Sequence, residues 1–224
     1  MCRLIWGFCL VTVLSIYGCG DGTQSNAAEG DVVNLITEGQ PDATVPMDQA
    51  DSDRPDEPGD IPPADLPTTM SCDELTARWP SDWVSLEAAV LELVNERRAS
   101  MQDCGSAGRF SPVPPLEGHP LLDCAARRHS LDMAQRGFFD HVNPDGDAPD
   151  ARILVTGYQP RAMGENIAAG AMTADDVVEG WMNSDGHCRN IMDGSFQQLG
   201  VGYIFDADVQ YNRYWTQVFG TERN

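Results

Sequence analysis

Two histidines and one glutamate, each set among glycine, asparagine and aromatic residues, constrain this chain more than any other feature. His141 follows Phe138-Phe139-Asp140 and precedes Pro144-Asp145-Gly146, while Glu165 lies in Gly164-Glu165-Asn166-Ile167-Ala168. His187 closes the run Trp181-Met182-Asn183-Ser184-Asp185-Gly186-His187, and a last segment reads Tyr214-Trp215-Thr216-Gln217-Val218-Phe219-Gly220. The three polar residues stand 24 and 22 positions apart. Only tertiary folding can bring them together, so the segments must converge on one polar cleft if they share a site. This is not a local metal motif, and from spacing alone each residue reads equally well as a hydrogen-bonded turn residue.

The periodicity between and around these motifs predicts the elements that would carry them. Trp83, Leu86, Val90, Leu93, Val94 and Arg97 recur at helical spacing, so residues 82–100 read as an amphipathic helix. Pro120 opens a second helix that runs to Arg136 and stops at Gly137. Its inward stripe is Leu122, Ala125, Ala126, His129, Met133 and Ala134, with His129 read as a core histidine. Residues 149–156 suggest a short helix, and Thr173 to Asp176 resembles a capping box opening another, which runs to about Asn183. Asp185-Gly186 reads as a turn after it. Strands are expected at 163–168, 199–206 and 211–219, the last alternating Tyr214, Thr216 and Val218 against Trp215, Gln217 and Phe219. Helices interleaved with a few mostly antiparallel strands indicate an α+β layered domain.

Upstream of residue 72 the composition changes. Residues 1–19 read as an export signal: Arg3 gives a positive start, and Leu4 to Tyr17 form an apolar core too short to span a bilayer comfortably. The core ends in Gly18-Cys19, which looks like a bacterial lipoprotein processing site. By that likeness Cys19 would become the lipid-bearing first residue. The alternative is an ordinary signal peptide cleaved nearby, for example after Gly20. Residues 20–71 carry twelve acidic residues against one basic, Arg54. Rich also in Pro, Gly and Thr, this stretch lacks the apolar mass to offset ordering entropy and is expected to be a disordered linker. Residues 72–224 are expected to form the folded domain. The formal net charge of −21, with no lysine at all, argues against nucleic acid as a partner, because phosphate binding needs clustered cations.

Cys72, Cys104, Cys124 and Cys188 lie outside the export segment. Four cysteines in an exported domain suggest two disulfides, for which three pairings exist. Zinc is the weaker reading of the cysteines, since no CxxC pair occurs.

Taken in order, FxHxxPDG, GENIA, WMNSDGHCRNIM and YWTQVFG resemble the CAP superfamily of cysteine-rich secretory, antigen 5 and pathogenesis-related 1 proteins (the SCP domain), and its bacterial extracellular branch in particular. The likeness covers about residues 84–221. It implies a three-layer α-β-α sandwich, and a cleft with two histidines and two acids that in some members holds a divalent cation such as zinc. His141, Glu165 and His187 match three of those positions, with His141 and His187 as the implied metal ligands. The fourth, commonly a glutamate three residues after the helix tryptophan, is Ser184. The resemblance also implies the disulfide Cys104–Cys188 and, with it, Cys72–Cys124.

The expected function is an exported, lipid-anchored binding module at the outer membrane or cell surface, or secreted. It would act as a monomer on an extracellular ligand, lipid or protein, and is not expected to be an enzyme. One alternative is a metal-dependent hydrolase, protease or esterase, with metal on His141 and His187 and Glu165 as base. Another is a structural envelope protein with a vestigial cleft. A Ser184-His187-Glu165 hydrolase is disfavoured because no GxSxG elbow accompanies the serine.

Overall fold

Glycine at alternate positions of one strand determines how closely the layers of this fold approach. The computed structural model describes residues 66–67 and 69–223, and the backbone of a strand at 32–34. The export segment with Cys19 lies outside the described residues. So does most of the acidic segment 20–71. Its residues Val32–Asn34 form β1, and Leu66, upstream of the boundary at Cys72, is fully buried in the core.

The helices are α1 (Cys72–Arg78), α2 (Ser81–Arg98), α3 (Pro120–Arg136), α4 (Pro149–Leu154), α5 (Ala174–Met182) and α6 (Asp185–Ile191). The longer strands are β5 (Pro160–Ala169), β6 (Gln198–Phe205) and β7 (Arg213–Glu222). Short strands β2 (Gln102–Asp103) and β3 (Arg109–Phe110) pair with each other, and β4 (Glu117–Gly118) joins the main sheet. The sheet order is β1-β5-β7-β6-β4, antiparallel through β5, β7 and β6 and parallel at both edges.

Alternation along the strands assigns the two faces. A Cβ on Gly200 or Gly202 would collide with the backbone of α3 at Leu122 and Asp123 or at Ala126 and Arg127. The absence of side chains there lets α3 lie directly on β6. Leu199, Val201 and Tyr203 face the other way, and Tyr203 packs edge-on to Trp83 of α2 at 5.8 Å. With α3 and α4 on one side and α2, α5 and α6 on the other, the domain is the expected α-β-α sandwich. Trp181, Trp215 and Phe219 are all core residues, buried to 1 % or less.

Several local signals act as the sequence predicts. Gly137 ends α3 in the left-handed conformation, φ 66°, and the Thr173–Asp176 capping box forms in both directions. Two features differ. Asp185-Gly186 is not a turn but the first turn of α6, with Ser184 at its N-cap. Asp185 is fixed there by accepting from the backbone and hydroxyl of Ser106. The fully buried stripe of α2 is Trp83, Glu87, Val90, Val94 and Arg98; the expected Leu86 and Leu93 pack half-buried against the same core, while Arg97 is exposed and two charged residues, Glu87 and Arg98, point inward. Each has its partners. Glu87 receives Arg127, Trp79 Nε1 and Tyr203 N, and Arg98 donates to the carbonyls of Pro114, Ile191, Asp193 and Phe196.

Among the described residues two disulfides form, Cys72–Cys124 and Cys104–Cys188, the pairing implied by the resemblance. The first joins α1 to α3; the second joins the loop after β2 to α6.

The glycine contacts predict opposite effects at two sites. Gly202→Ala should destabilise the protein by about 3 kcal/mol, because the colliding atoms are helix backbone. Gly180→Ala should stabilise it by about 0.5–1 kcal/mol, since a Cβ there meets nothing within 4 Å and the residue is in a helix. Urea unfolding of both variants checks this pair.

Candidate functional site

Glu165 sits in the middle of β5, opposite Val218 of β7, and its carboxylate points into the layer formed by α3 and α4. It is 1 % exposed. A carboxylate held that deep needs both charge and hydrogen-bond compensation. Three segments supply it. After Gly137 the chain turns back over the end of α3 and delivers His141, whose Nδ1 donates to Glu165 Oε1 at 2.8 Å. From α4, Arg152 Nη2 donates to Oε1 at 3.0 Å and Oε2 at 2.8 Å. From α3, His129 Nε2 lies 3.7 Å from Oε1 and donates to the carbonyl of Asp140 at 3.1 Å.

Arg152 is itself fixed from behind, with Nη1 donating to the carbonyl of Asp147 at 2.8 Å. That carbonyl belongs to the Pro144-Asp145-Gly146 loop, where Asn143 Oδ1 accepts from the backbone of Asp145 and Asp147. The loop motif therefore positions a carbonyl for the arginine. Two buried atoms around the carboxylate, His129 Nδ1 and Arg152 Nε, have no hydrogen-bond partner.

The electrostatics follow from this geometry. Burial by itself pushes the Glu165 carboxyl up, but His129, Arg152 and His141 together overcome that and bring it down to about 2. Burial likewise dominates at His129 and pushes its imidazole down to about 4 in spite of Glu165. His129 is therefore neutral at pH 7, which leaves Arg152 as the permanent cation beside Glu165. Because the ionised carboxylate can only accept, His141 carries its proton on Nδ1.

His187 approaches the same stretch of β5 from the opposite layer. Its carbonyl oxygen accepts from Asn166 Nδ2, and Asn166 continues through Gln217 Oε1 and Asn190 in a buried amide cluster. Asn190 also donates to the carbonyl of Glu165. Ser184 caps α6, and its carbonyl accepts from the Cys188 amide. The structure thus joins His141 directly to Glu165, and ties the His187 backbone to the next residue of β5. Among the described residues no three His, Cys, Asp or Glu side chains are arranged to hold a metal ion. The donor set also fits a cation poorly at Glu165, because a guanidinium already bonds both of its oxygens. A Ser184-His187-Glu165 array would have to share a carboxylate that already accepts from His141 and Arg152.

Sequence reasoning missed Arg152. Nothing within its short helix marks it, because the carboxylate it bonds lies on another element, 13 residues later. His129 is the core histidine expected, and it is also a neighbour of Glu165.

The family model of the cysteine-rich secretory protein family (CAP) matches residues 91–219, a span that contains the whole of this cluster. The chain belongs to the CAP family. Two curated proteins of Bacillus subtilis (strain 168) are similar to it. The uncharacterized protein YkwD is 33 % identical over 153 residues, covering 68 % of this chain and 54 % of YkwD. The uncharacterized membrane protein YlbC is 32 % identical over 91 residues, covering 41 % of this chain and 24 % of YlbC. This CAP chain thus spans about half of the length of YkwD and less of YlbC. Among solved structures, an extracellular protein containing a SCP domain from Bacillus anthracis str. Ames matches with TM-score 0.51 and 24 % identity. That match covers 68 % of this chain and 44 % of the other, and it bears on the fold alone.

His129 makes the CAP domain pH-sensitive. Its folded-state pKa lies below the ordinary value of 6.5, so its contribution is complete above that value and is lost as pH falls toward about 4. The loss is about 3 kcal/mol by the span of the two values. In urea unfolding, a His129→Gln variant should lose less stability than wild type between pH 7 and pH 4.5. The other titrating groups are common to both proteins.

Proposed function

We propose that this CAP protein is an exported binding module. Its His141–Glu165 cluster would stabilise the shape of a cleft rather than carry out a reaction. One observation carries this reading: Glu165 is buried, bonded through both oxygens to Arg152, and lowered to about 2. A general base works best with a pKa near the operating pH and with access to the proton it takes. Glu165 has neither property, which counts against the hydrolase alternative.

Export is supported by the disulfides, which form and persist in oxidising compartments. The apolar segment ending at Cys19 supports a lipid anchor, with an extracellular ligand, lipid or protein as the partner. No helix among the described residues is long and apolar enough to cross a membrane.

Two measurements test this function. Purified protein, with and without added zinc, should turn over casein and p-nitrophenyl esters no faster than a His141→Ala variant. Turnover that disappears in Glu165→Gln would establish the hydrolase instead. In cells, wild type should partition into the detergent phase of a Triton X-114 extract. Cys19→Ser should move it to the aqueous phase or the medium, and unchanged partitioning would remove the lipid anchor from the proposal.

A further inference from the structure

The buried carboxylate Glu165 has a permanent positive partner from within the chain. We propose that Arg152 is a built-in cation that takes the place of a metal ion at Glu165, so that the His141–Glu165 pair refuses divalent metals while the guanidinium is present.

Glu165 Oε1 accepts from both His141 Nδ1 and Arg152 Nη2, and Oε2 accepts from Arg152 Nη2. A metal at this carboxylate would have to displace at least one of these donors. It would also require His141 to give up the Nδ1 proton if it bound through that nitrogen. Displacing Arg152 is the harder step. Arg152 is 9 % exposed and its guanidinium is anchored on its far side to the Asp147 carbonyl, so it cannot turn outward without leaving that carbonyl. If it stayed, a dication would face a second cation at hydrogen-bonding range, with little water between to screen them.

The residue type suits this role. Arginine stays protonated in proteins, and its planar fork lets Nη2 hold both carboxylate oxygens while Nη1 holds the Asp147 carbonyl. The neighbouring imidazole of His129 is neutral at pH 7 and cannot substitute for it. Removing Arg152 alone would leave Glu165 buried without its permanent counter-charge. The remaining His141 and Glu165 would then offer one nitrogen and two oxygens to whatever cation could enter, a donor set suited to zinc or cobalt.

The inference deepens the reading of a non-catalytic cleft, but its readouts are metal binding and stability, so either can fail without the other. The probes are Zn²⁺ by calorimetry and Co²⁺ by its visible d–d absorption, at pH 7, on the full chain. Wild type and Arg152→Lys should show no binding that depends on Glu165. Arg152→Met should bind Co²⁺ at least tenfold more tightly than wild type, and Arg152→Met/His141→Ala should lose that gain. If Arg152→Met alone does not fold, Arg152→Met/Glu165→Gln decides the matter, because removing both charges should restore folding. The proposal is overturned if wild type binds Zn²⁺ and Glu165→Gln abolishes it. It also fails if folded Arg152→Met gains no affinity, or if the Arg152→Met/Glu165→Gln protein is no more stable than Arg152→Met.

Discussion

The direct contact of α3 with β6 organises the rest of this domain. Gly200 and Gly202 remove the side chains that would otherwise separate helix from sheet, and α3 settles onto bare backbone. At that distance Ser130 can reach both the Gly202 carbonyl and the Thr216 hydroxyl. His129, one residue earlier, is carried against Glu165. The next step is also geometric. Gly137 lets the chain reverse at the end of α3, so Asp140 returns its carbonyl to His129 and His141 meets the carboxylate. The polar cluster is assembled by the packing of one helix, with residues from β5 and α4 completing it.

Much of this was legible in the sequence because it is local or periodic. The bounds of α3 follow from Pro120 and Gly137, and the capping box at Thr173 places α5. Their signals act within a turn or two of chain. The order of the four motifs, through the family likeness, indicated that His141 and Glu165 belong together and how the cysteines pair. What escaped depends on contacts distant in sequence. Glu87 and Arg98 look like surface residues of a helix until the partners that neutralise them, 40 and up to 98 positions away, are in place. Arg152 is hidden for the same reason: nothing within its own helix shows that its head reaches β5. The helical state of Asp185-Gly186 rests on Ser106, 79 residues earlier.

The treatment of buried charge is consistent throughout. Glu87 is matched by Arg127, Glu165 by Arg152, and Arg98 by four backbone carbonyls. The chain contains no lysine, so every one of these cations is a guanidinium. Burial lowers the Arg98 pKa only to about 10, still far above neutrality. The interior therefore keeps its positive charges fixed at ordinary pH, and what responds to acid is the histidine and carboxylate side of each arrangement.

Beyond the two-residue β4, the outer edge of β6 would present free amide donors at Val201 and Tyr203. Asp123 Oδ1 accepts the first at 3.0 Å and Glu87 Oε1 the second at 3.1 Å. Such an edge is ordinarily where a second molecule adds a strand and begins to polymerise. Here an incoming chain would meet side-chain carboxylates in place of open donors, and its own carbonyls would be turned away. Extension of the sheet by a second copy at this edge is opposed in this way.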